Sequence, residues 1–242
     1  MDDYLDAKGF VGHKWIGGKQ PLEFGDGALR LGQYYGPRYL LAKSAVERDA
    51  LKDRFVLNVA ALLTGPEPVR YPQPSEWWGQ PGTMSRDNLY GIIDGCSILG
   101  CPVWSMYLWR VLKKRWMFTW NTKAIWSTKV KLIPIPDWCG PDTWRRLNPS
   151  WPYWKRLLCD VYTLISLPIR ILTLKVDPDH TSPELIFVMG ILNRRTSPTF
   201  VSRLVEEIYL KFQKWVPAVQ SYFQGDQHPP IDEYLVRATE KW

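Results

Sequence analysis

The chain has 242 residues, which is enough for one large domain or two small ones. Its 45% of hydrophobic residues excludes disorder as the main state, and 31 basic residues against 24 acidic ones give a formal charge of +7. No run of five basic residues occurs, so a solvated surface charge is favoured over a nucleic-acid patch.

Residues that ligate metals are few and scattered in this sequence. The three histidines are isolated and no C-x2-C pair occurs, so no zinc site, other metal site or cofactor is predicted. Buried free thiols are the favoured state of the four cysteines, which are Cys96, Cys101, Cys139 and Cys159. The acidic N-terminus does not resemble a signal peptide, and synthesis in the cytoplasm is expected.

The first third of the chain contains two predicted helices after a glycine-rich loop at residues 1–25. Apolar spacing predicts a helix that begins at Asp26 and breaks or kinks at Gly36–Pro37. Ser44, followed three residues later by Glu47, forms the capping box that starts the second helix.

The middle of the chain is predicted to hold a long loop and two more helices. Residues 65–84 are rich in proline and tryptophan and favour an ordered loop. Ser85 is a good N-cap for a third helix, which Gly100 ends. Pro102 is suited to begin the fourth helix, which we expect to extend to Trp120.

The last part of the chain is predicted to be helical after a second long loop at residues 129–154. Residues 129–135 favour one short edge strand within that loop. The expected helices cover 155–175 with a kink near Pro168, a segment that starts at Ser182–Pro183, one that starts at Ser197–Pro198, and a short closing helix.

These elements predict an all-α fold in a single domain of residues 1–242. The helices are expected to form antiparallel pairs joined by Pro/Trp-rich loops, with at most one short edge strand or hairpin. A partial α/α toroid is one arrangement that fits this pattern.

Arg86 and Asp87 are candidate catalytic residues because they head a helix after a tryptophan-rich loop. Asp87 has the chemistry of a general acid or base, and Arg86 that of an anion ligand. A carboxylate in a first helical turn is also what the helix dipole favours, and we prefer this simpler interpretation.

Asp26 and Arg30 lie four residues apart and would share one helix face, with Tyr34 and Tyr35 on the next turn. That face could bind a polar ligand, although a surface ion pair is the simpler interpretation. In a toroid, Asp26, Asp87 and Asp94 would be carboxylates that converge as glycosidases require, and this is the alternative enzyme hypothesis.

Tryptophans in or beside the loops are candidate binding residues, above all Trp77 and Trp78. Anchoring of a protein interface and packing onto helix ends are equally favoured, and glycan stacking comes third. Arg194 and Arg195 are candidate anion ligands, but compensation of a helix C-terminus explains them as well.

Three segments resemble a poorly characterised family of tailed-phage proteins that carries the motifs G-D-x-x-x-R-x-G-x-Y, S-R-D-[QN] and R-R-T-x-[TS]. In the last motif this chain departs from the pattern, with Ser197–Pro198 inserted before Thr199. The matching residues are Gly25, Asp26, Arg30, Gly32 and Tyr34; Ser85, Arg86, Asp87 and Asn88; and Arg194, Arg195 and Thr196.

The resemblance implies a bacteriophage origin and a role in the virion or its tail, without a mechanism. We therefore expect a tryptophan-rich structural protein, virion-associated and oligomeric in an assembly, that contacts other virion proteins through loop aromatics. A glycan is an alternative ligand, nucleic acid is disfavoured, and no membrane span is expected because the most apolar stretch, residues 157–176, contains charged residues and a proline.

Overall fold

The computed structural model describes residues 5–12, 24–25, 27–65, 67–73, 81, 83–120, 139–176 and 199–213. Within the helices, side chains are not described at residues 87, 167, 169–176, 206 and 209–213. All longer elements in these ranges are helices. Leu5 and Val11 form an isolated antiparallel β-bridge. The predicted all-α class is confirmed.

The chain forms two compact units, Met1–Gly140 and Pro141–Trp242, which we describe separately. The expectation of a single domain stays a prediction. In the first unit the described helices are α1 (Gly27–Leu41), α2 (Ala45–Leu63), α3 (Arg86–Leu99) and α4 (Pro102–Lys114).

Local sequence signals set most of these helix ends. The Ser44 side chain accepts a hydrogen bond from the Glu47 backbone N–H, as predicted, while the Glu47 carboxylate reaches the N–H of Lys43 at 3.0 Å. Gly100 ends α3 in the left-handed conformation with φ 69°. By contrast, α1 contains Pro37 within a single helix, so of the break or kink predicted at Gly36–Pro37 the break does not occur.

The core of the first unit surrounds α1, which is buried on almost every side. Burial on nearly all sides is typical of a helix in a protein interior rather than at a surface. The N-terminal segment adds to this core, since Phe10 and Val11 are buried. The Tyr35 hydroxyl and the Asn58 amide both donate to the Gly9 carbonyl, at 2.7 and 2.8 Å, and hold that segment in place.

The second unit contains α5 (Pro141–Leu147), α6 (Tyr153–Val176) and α7 (Phe200–Gln213). Helices α6 and α7 pack through Val201 and Val205 of α7, and the partly buried side chains around them are Leu157, Val161, Leu164 and Ile208. Pro168 lies inside α6, which is a single helix.

Three boundaries differ from the sequence-based expectation. Helix α4 ends at Lys114 rather than Trp120, and α5 falls in a stretch that we expected to be irregular. Helix α7 begins at Phe200, and its cap is Thr199, whose hydroxyl accepts from the Ser202 N–H at 3.1 Å; the predicted cap Ser197 was wrong. The expected strand at 129–135, the helix from Ser182 and the closing helix lie outside the described residues.

Candidate functional site

The N-termini of α1 and α3 lie side by side and form the place where two of the sequence motifs meet. A Cβ built on Gly32 would overlap the Gly91 carbonyl, and one built on Gly95 would lie 3.3 Å from the Gly32 Cα. Near the helix starts, the Leu29 N–H donates to the Asn88 side chain. Residue numbers rise together along this contact, so these two non-consecutive helices run parallel.

Glycines make this close approach feasible because a side chain would separate the two backbones. Gly32 and Gly36 on α1, and Gly91 and Gly95 on α3, each recur at four-residue spacing and so lie on one helix face. In the described structure, Gly32 of the first motif therefore has a packing role.

Arg70 joins the chain just before α1 to the chain just before α3. Its Nε donates to the Thr83 carbonyl at 2.6 Å, and its Nη1 donates to the Gly25 carbonyl at 3.4 Å. The side chain is buried. Since a buried guanidinium needs acceptors for its donors, these bonds fix the relative position of both helix starts. Sequence reasoning missed Arg70, because no local pattern marks it.

In the segment Ser85–Asn88, the first and last residues have structural roles at the start of α3. The Ser85 hydroxyl accepts from the backbone N–H of Asn88 at 3.4 Å and from its side-chain amide at 2.9 Å, which confirms Ser85 as the N-cap. The side-chain oxygen Oδ1 of Asn88 also accepts a hydrogen bond from the Leu29 backbone N–H of α1. Arg86 is exposed, with its guanidinium carbon 6.0 Å from the centre of the Tyr90 ring.

Neither carboxylate of the enzyme hypothesis has a described side-chain position. Asp26 lies outside the described residues, directly before α1, and Asp87 is in the first turn of α3 with its side chain not described. The two sequence motifs that contain Asp26 and Asp87 therefore lie at the neighbouring N-termini of α1 and α3. Asp94 is buried seven residues further along α3, about 10 Å from Asp87 along the helix axis.

The other residues of the first motif lie within the helix packing. Nη1 of Arg30 donates to the Gln33 side chain at 3.0 Å, and its buried Nε has no hydrogen-bond partner among the described residues. Tyr34 and Tyr35 are buried, and burial raises the pKa of the Tyr35 hydroxyl. A core position gives both tyrosines a packing role in this structure, and ligand binding by them stays a prediction.

Four predicted binding residues lie outside the described residues: Trp77, Trp78, Arg194 and Arg195. Trp154, at the end of the loop predicted for residues 129–154, is exposed in the first turn of α6.

Helix α6 has an exposed apolar face that the sequence analysis did not identify. Every exposed side chain described on this helix is aromatic, aliphatic or proline. Four of them lie within about 80° of one another around the helix and form what we call the α6 face: Trp154, Leu158, Tyr162 and Ile165. Phe200 and Leu204 of α7 are exposed beside the α6–α7 packing contact.

The opposite side of α6 contains a buried polar cluster that links three helices. Asp160 on α6 forms an ion pair with Arg145 of α5, with 2.9 Å between Oδ1 and Nε, and accepts a hydrogen bond of 2.6 Å from Thr199. Thr199 in turn caps α7. Asp160 therefore connects α5, α6 and the start of α7.

Burial dominates the electrostatics of this cluster. Desolvation raises the pKa of Asp160 despite the opposing effects of Arg145, the Thr199 hydrogen bond and Arg156. Desolvation likewise lowers the pKa of Arg145 despite the nearby carboxylate. Both shifts disfavour the charged forms, because burial removes the two groups from water.

Comparison of the chain with protein-family models, with curated proteins and with solved structures found no match. No helix in the described part of the chain combines the length and the apolar character that a membrane span requires. Within the same residues, no group of three or more histidine, cysteine or acidic side chains is arranged to hold a metal ion.

Proposed function

We propose that this chain is a structural protein of a bacteriophage particle or its tail that binds neighbouring virion proteins through the α6 face. The observation that carries the proposal is the exposure of Leu158 and Ile165, at 62% and 73%, on a helix with no exposed charged side chain among those described. An exposed apolar patch of this kind is typical of a protein-binding surface.

The composition of the α6 face also fits a protein partner. Trp154 and Tyr162 are residue types that contribute strongly to binding energy at protein interfaces. Covering a leucine or isoleucine completely contributes about 1.5–3 kcal/mol, so a few such side chains provide the free energy for a stable contact. The phage assignment itself rests on the motif resemblance.

The test measures incorporation of variants into particles of the phage that encodes the chain. Leu158→Asp and Ile165→Asp place a charge on the α6 face, and each is expected to reduce the amount of chain in purified particles, measured by quantitative mass spectrometry. Leu57→Asp and Val46→Asp are matched controls on α2, because these side chains are 66% and 79% exposed.

The controls are expected to incorporate like the wild type. Thermal unfolding of all four purified variants establishes that the chain remains folded. Absence of the wild-type chain from particles, or equal incorporation of the α6 and α2 variants, would contradict the proposal.

A second candidate is a glycan-active enzyme with Asp26 and Asp87 as its carboxylate pair. It is favoured by the parallel packing of α1 and α3, which brings the starts of both motifs to the same end of the helix pair. Glycosidases of either stereochemistry place their two carboxyl groups about 5–10 Å apart.

Cleavage of bacterial polysaccharides by the purified chain tests this candidate. Asp26→Asn and Asp87→Asn should each abolish the release of new chain ends, whereas Asp49→Asn at an exposed position of α2 should not. Absence of cleavage by the wild type, or activity that persists in both Asn variants, would remove this candidate.

A further inference from the structure

One segment of the sequence has a net positive charge because it lacks acidic residues. Residues 95–136 contain seven basic residues and no acidic residue, a surplus equal to the formal charge of +7 of the whole chain. Four of these basic residues, Arg110, Lys113, Lys114 and Arg115, lie at the end of α4. A local excess of this kind attracts an anionic partner.

One side of α4 presents apolar and then basic side chains to solvent. Val103, Met106 and Tyr107 are exposed on its first two turns, and Arg110, Lys113 and Lys114 are exposed on the next turns of the same side. The opposite side, with Leu108 and Leu112, is buried. The exposed side of α4 is thus apolar at one end and cationic at the other.

The turn after α4 presents a tryptophan to solvent in a strained conformation. The Met117 N–H donates to the Leu112 carbonyl at 2.8 Å and the Trp116 N–H donates to the Lys113 carbonyl at 3.2 Å, which is the hydrogen-bond pattern of a Schellman motif. Trp116 occupies the position of that motif that favours glycine, with φ 55°, and Met117 follows with φ 65°.

Neither backbone preference nor burial accounts for a tryptophan at this position. The side chain of Trp116 is 84% exposed, so it adds little to the core. Phe118, two residues later, is also exposed. A large aromatic side chain held outside the fold at a strained residue indicates a contact with something beyond the chain.

We propose that this surface binds an anionic lipid bilayer. We call it the α4 surface; it consists of Val103, Met106, Tyr107, Arg110, Lys113, Lys114, Trp116 and Phe118. Trp116 inserts at headgroup depth, where amphipathic aromatic rings are favoured, and Phe118 adds apolar surface beside it. Lys113 and Lys114 approach the lipid phosphates. This function goes beyond the proposed binding of virion proteins and uses different residues.

The exposed aliphatic side chains favour lipid over nucleic acid. Nucleic-acid surfaces combine positive charge with aromatic rings on which bases stack. Val103 and Met106 have no ring to stack, yet both are exposed on the same side as the basic residues. Apolar side chains beside a cationic group are typical of helices that lie at a membrane interface.

Flotation of the full chain with lipid vesicles tests the proposal. The chain should float with vesicles of phosphatidylglycerol and phosphatidylcholine in equal parts, and should not float with phosphatidylcholine alone. Lys113→Gln together with Lys114→Gln should weaken binding about thirtyfold. Lys8→Gln together with Lys43→Gln, which removes two exposed charges elsewhere, should leave binding unchanged.

Trp116→Gly separates binding from folding. Glycine suits the left-handed position, so the variant should unfold at the same temperature as the wild type or a higher one, while its vesicle binding falls. Phe200→Ala is the matched control, since it removes an exposed aromatic side chain from α7 and should not change binding. Full vesicle binding by Trp116→Gly would overturn the proposal.

Oligonucleotide binding tests the other anionic partner. If a single-stranded oligonucleotide binds more tightly than the vesicles and its binding depends on Lys113 and Lys114, the surface recognises nucleic acid and the lipid proposal is wrong.

The exposed aliphatic side chains provide a further test. Val103→Ser together with Met106→Ser should weaken vesicle binding. Equal vesicle binding by this variant and the wild type would also overturn the lipid proposal.

Discussion

Gly32 of α1 and Gly91 of α3 lie so close that neither position has room for a side chain. A methyl group on Gly32 would overlap the Gly91 carbonyl, and one on Gly91 would overlap the Leu29 carbonyl. Both obstacles are backbone atoms inside helices, which cannot move aside as a flexible side chain can. This contact sets the distance between the two helices that bear the first two sequence motifs.

Replacing Gly91 by alanine should therefore destabilise the first unit strongly. We expect Gly91→Ala to lower the free energy of unfolding by about 3 kcal/mol or more, because the two helices must separate. Gly65→Ala is the control: its methyl group would lie 3.5 Å from the Glu67 carbonyl, an ordinary contact. Denaturant unfolding measures both, and a small effect of Gly91→Ala would contradict the observed packing.

The Arg145–Asp160 pair should show strong coupling in a double-mutant cycle. Asp160→Asn and Arg145→Met alone should each cost about 3–5 kcal/mol, because a buried group loses its partner. The double variant should be close to the wild type in stability, since both desolvation costs are removed together. Additive losses in the double variant would show that the two side chains act independently.

Asp160 should also give stability a specific pH dependence. Its pKa is raised in the folded state by burial, so the folded chain binds the proton more tightly than the unfolded chain does. The stabilisation from that proton is fully present below the unfolded pKa and is lost as pH rises through the folded one.

The difference in unfolding free energy between the wild type and Asp160→Asn should therefore shift in favour of the wild type as pH falls through this window. Denaturant titrations of both proteins at a series of acidic pH values measure the difference. A constant difference, or one that moves towards the Asn variant, would contradict the raised pKa.

The four cysteines should react slowly with thiol reagents while the chain is folded. All four are free and buried, as predicted from the sequence. Burial raises the pKa of Cys159 to about 11, so little reactive thiolate is present near neutral pH. With a chromogenic disulfide as the reagent, we expect all four thiols to react in one rapid phase in denaturant. Without denaturant, almost no thiol should react in that phase. Fast labelling of folded Cys159 would disagree with its burial.

The helix ends show which features could be predicted from sequence. Ser44, Ser85 and Gly100 were identified correctly because each acts within one helical turn, and the chemistry of caps involves residues three or four apart. The prediction of Ser197 as the cap of α7 was wrong, because Ser197 and Thr199 are both suitable caps and lie only two residues apart. Thr199 also donates a hydrogen bond to Asp160, which is distant in sequence, and no local pattern predicts that contact.

The candidate surfaces required the fold. The sequence shows that α6 is rich in apolar residues, and only the packing against α7 shows which of them remain exposed. The absence of acidic residues from 95–136 was visible in the sequence, but the exposure and the left-handed backbone of Trp116 were not.

The sequence by itself determined the helical class and the main helix caps and favoured free thiols, because these depend on local chemistry and composition. Only the tertiary structure decided that α1 runs parallel to α3, that Arg70 joins their starts, and that Tyr34 and Tyr35 are buried. These features come from contacts between residues far apart in the chain, and no local spacing specifies which distant surfaces will meet.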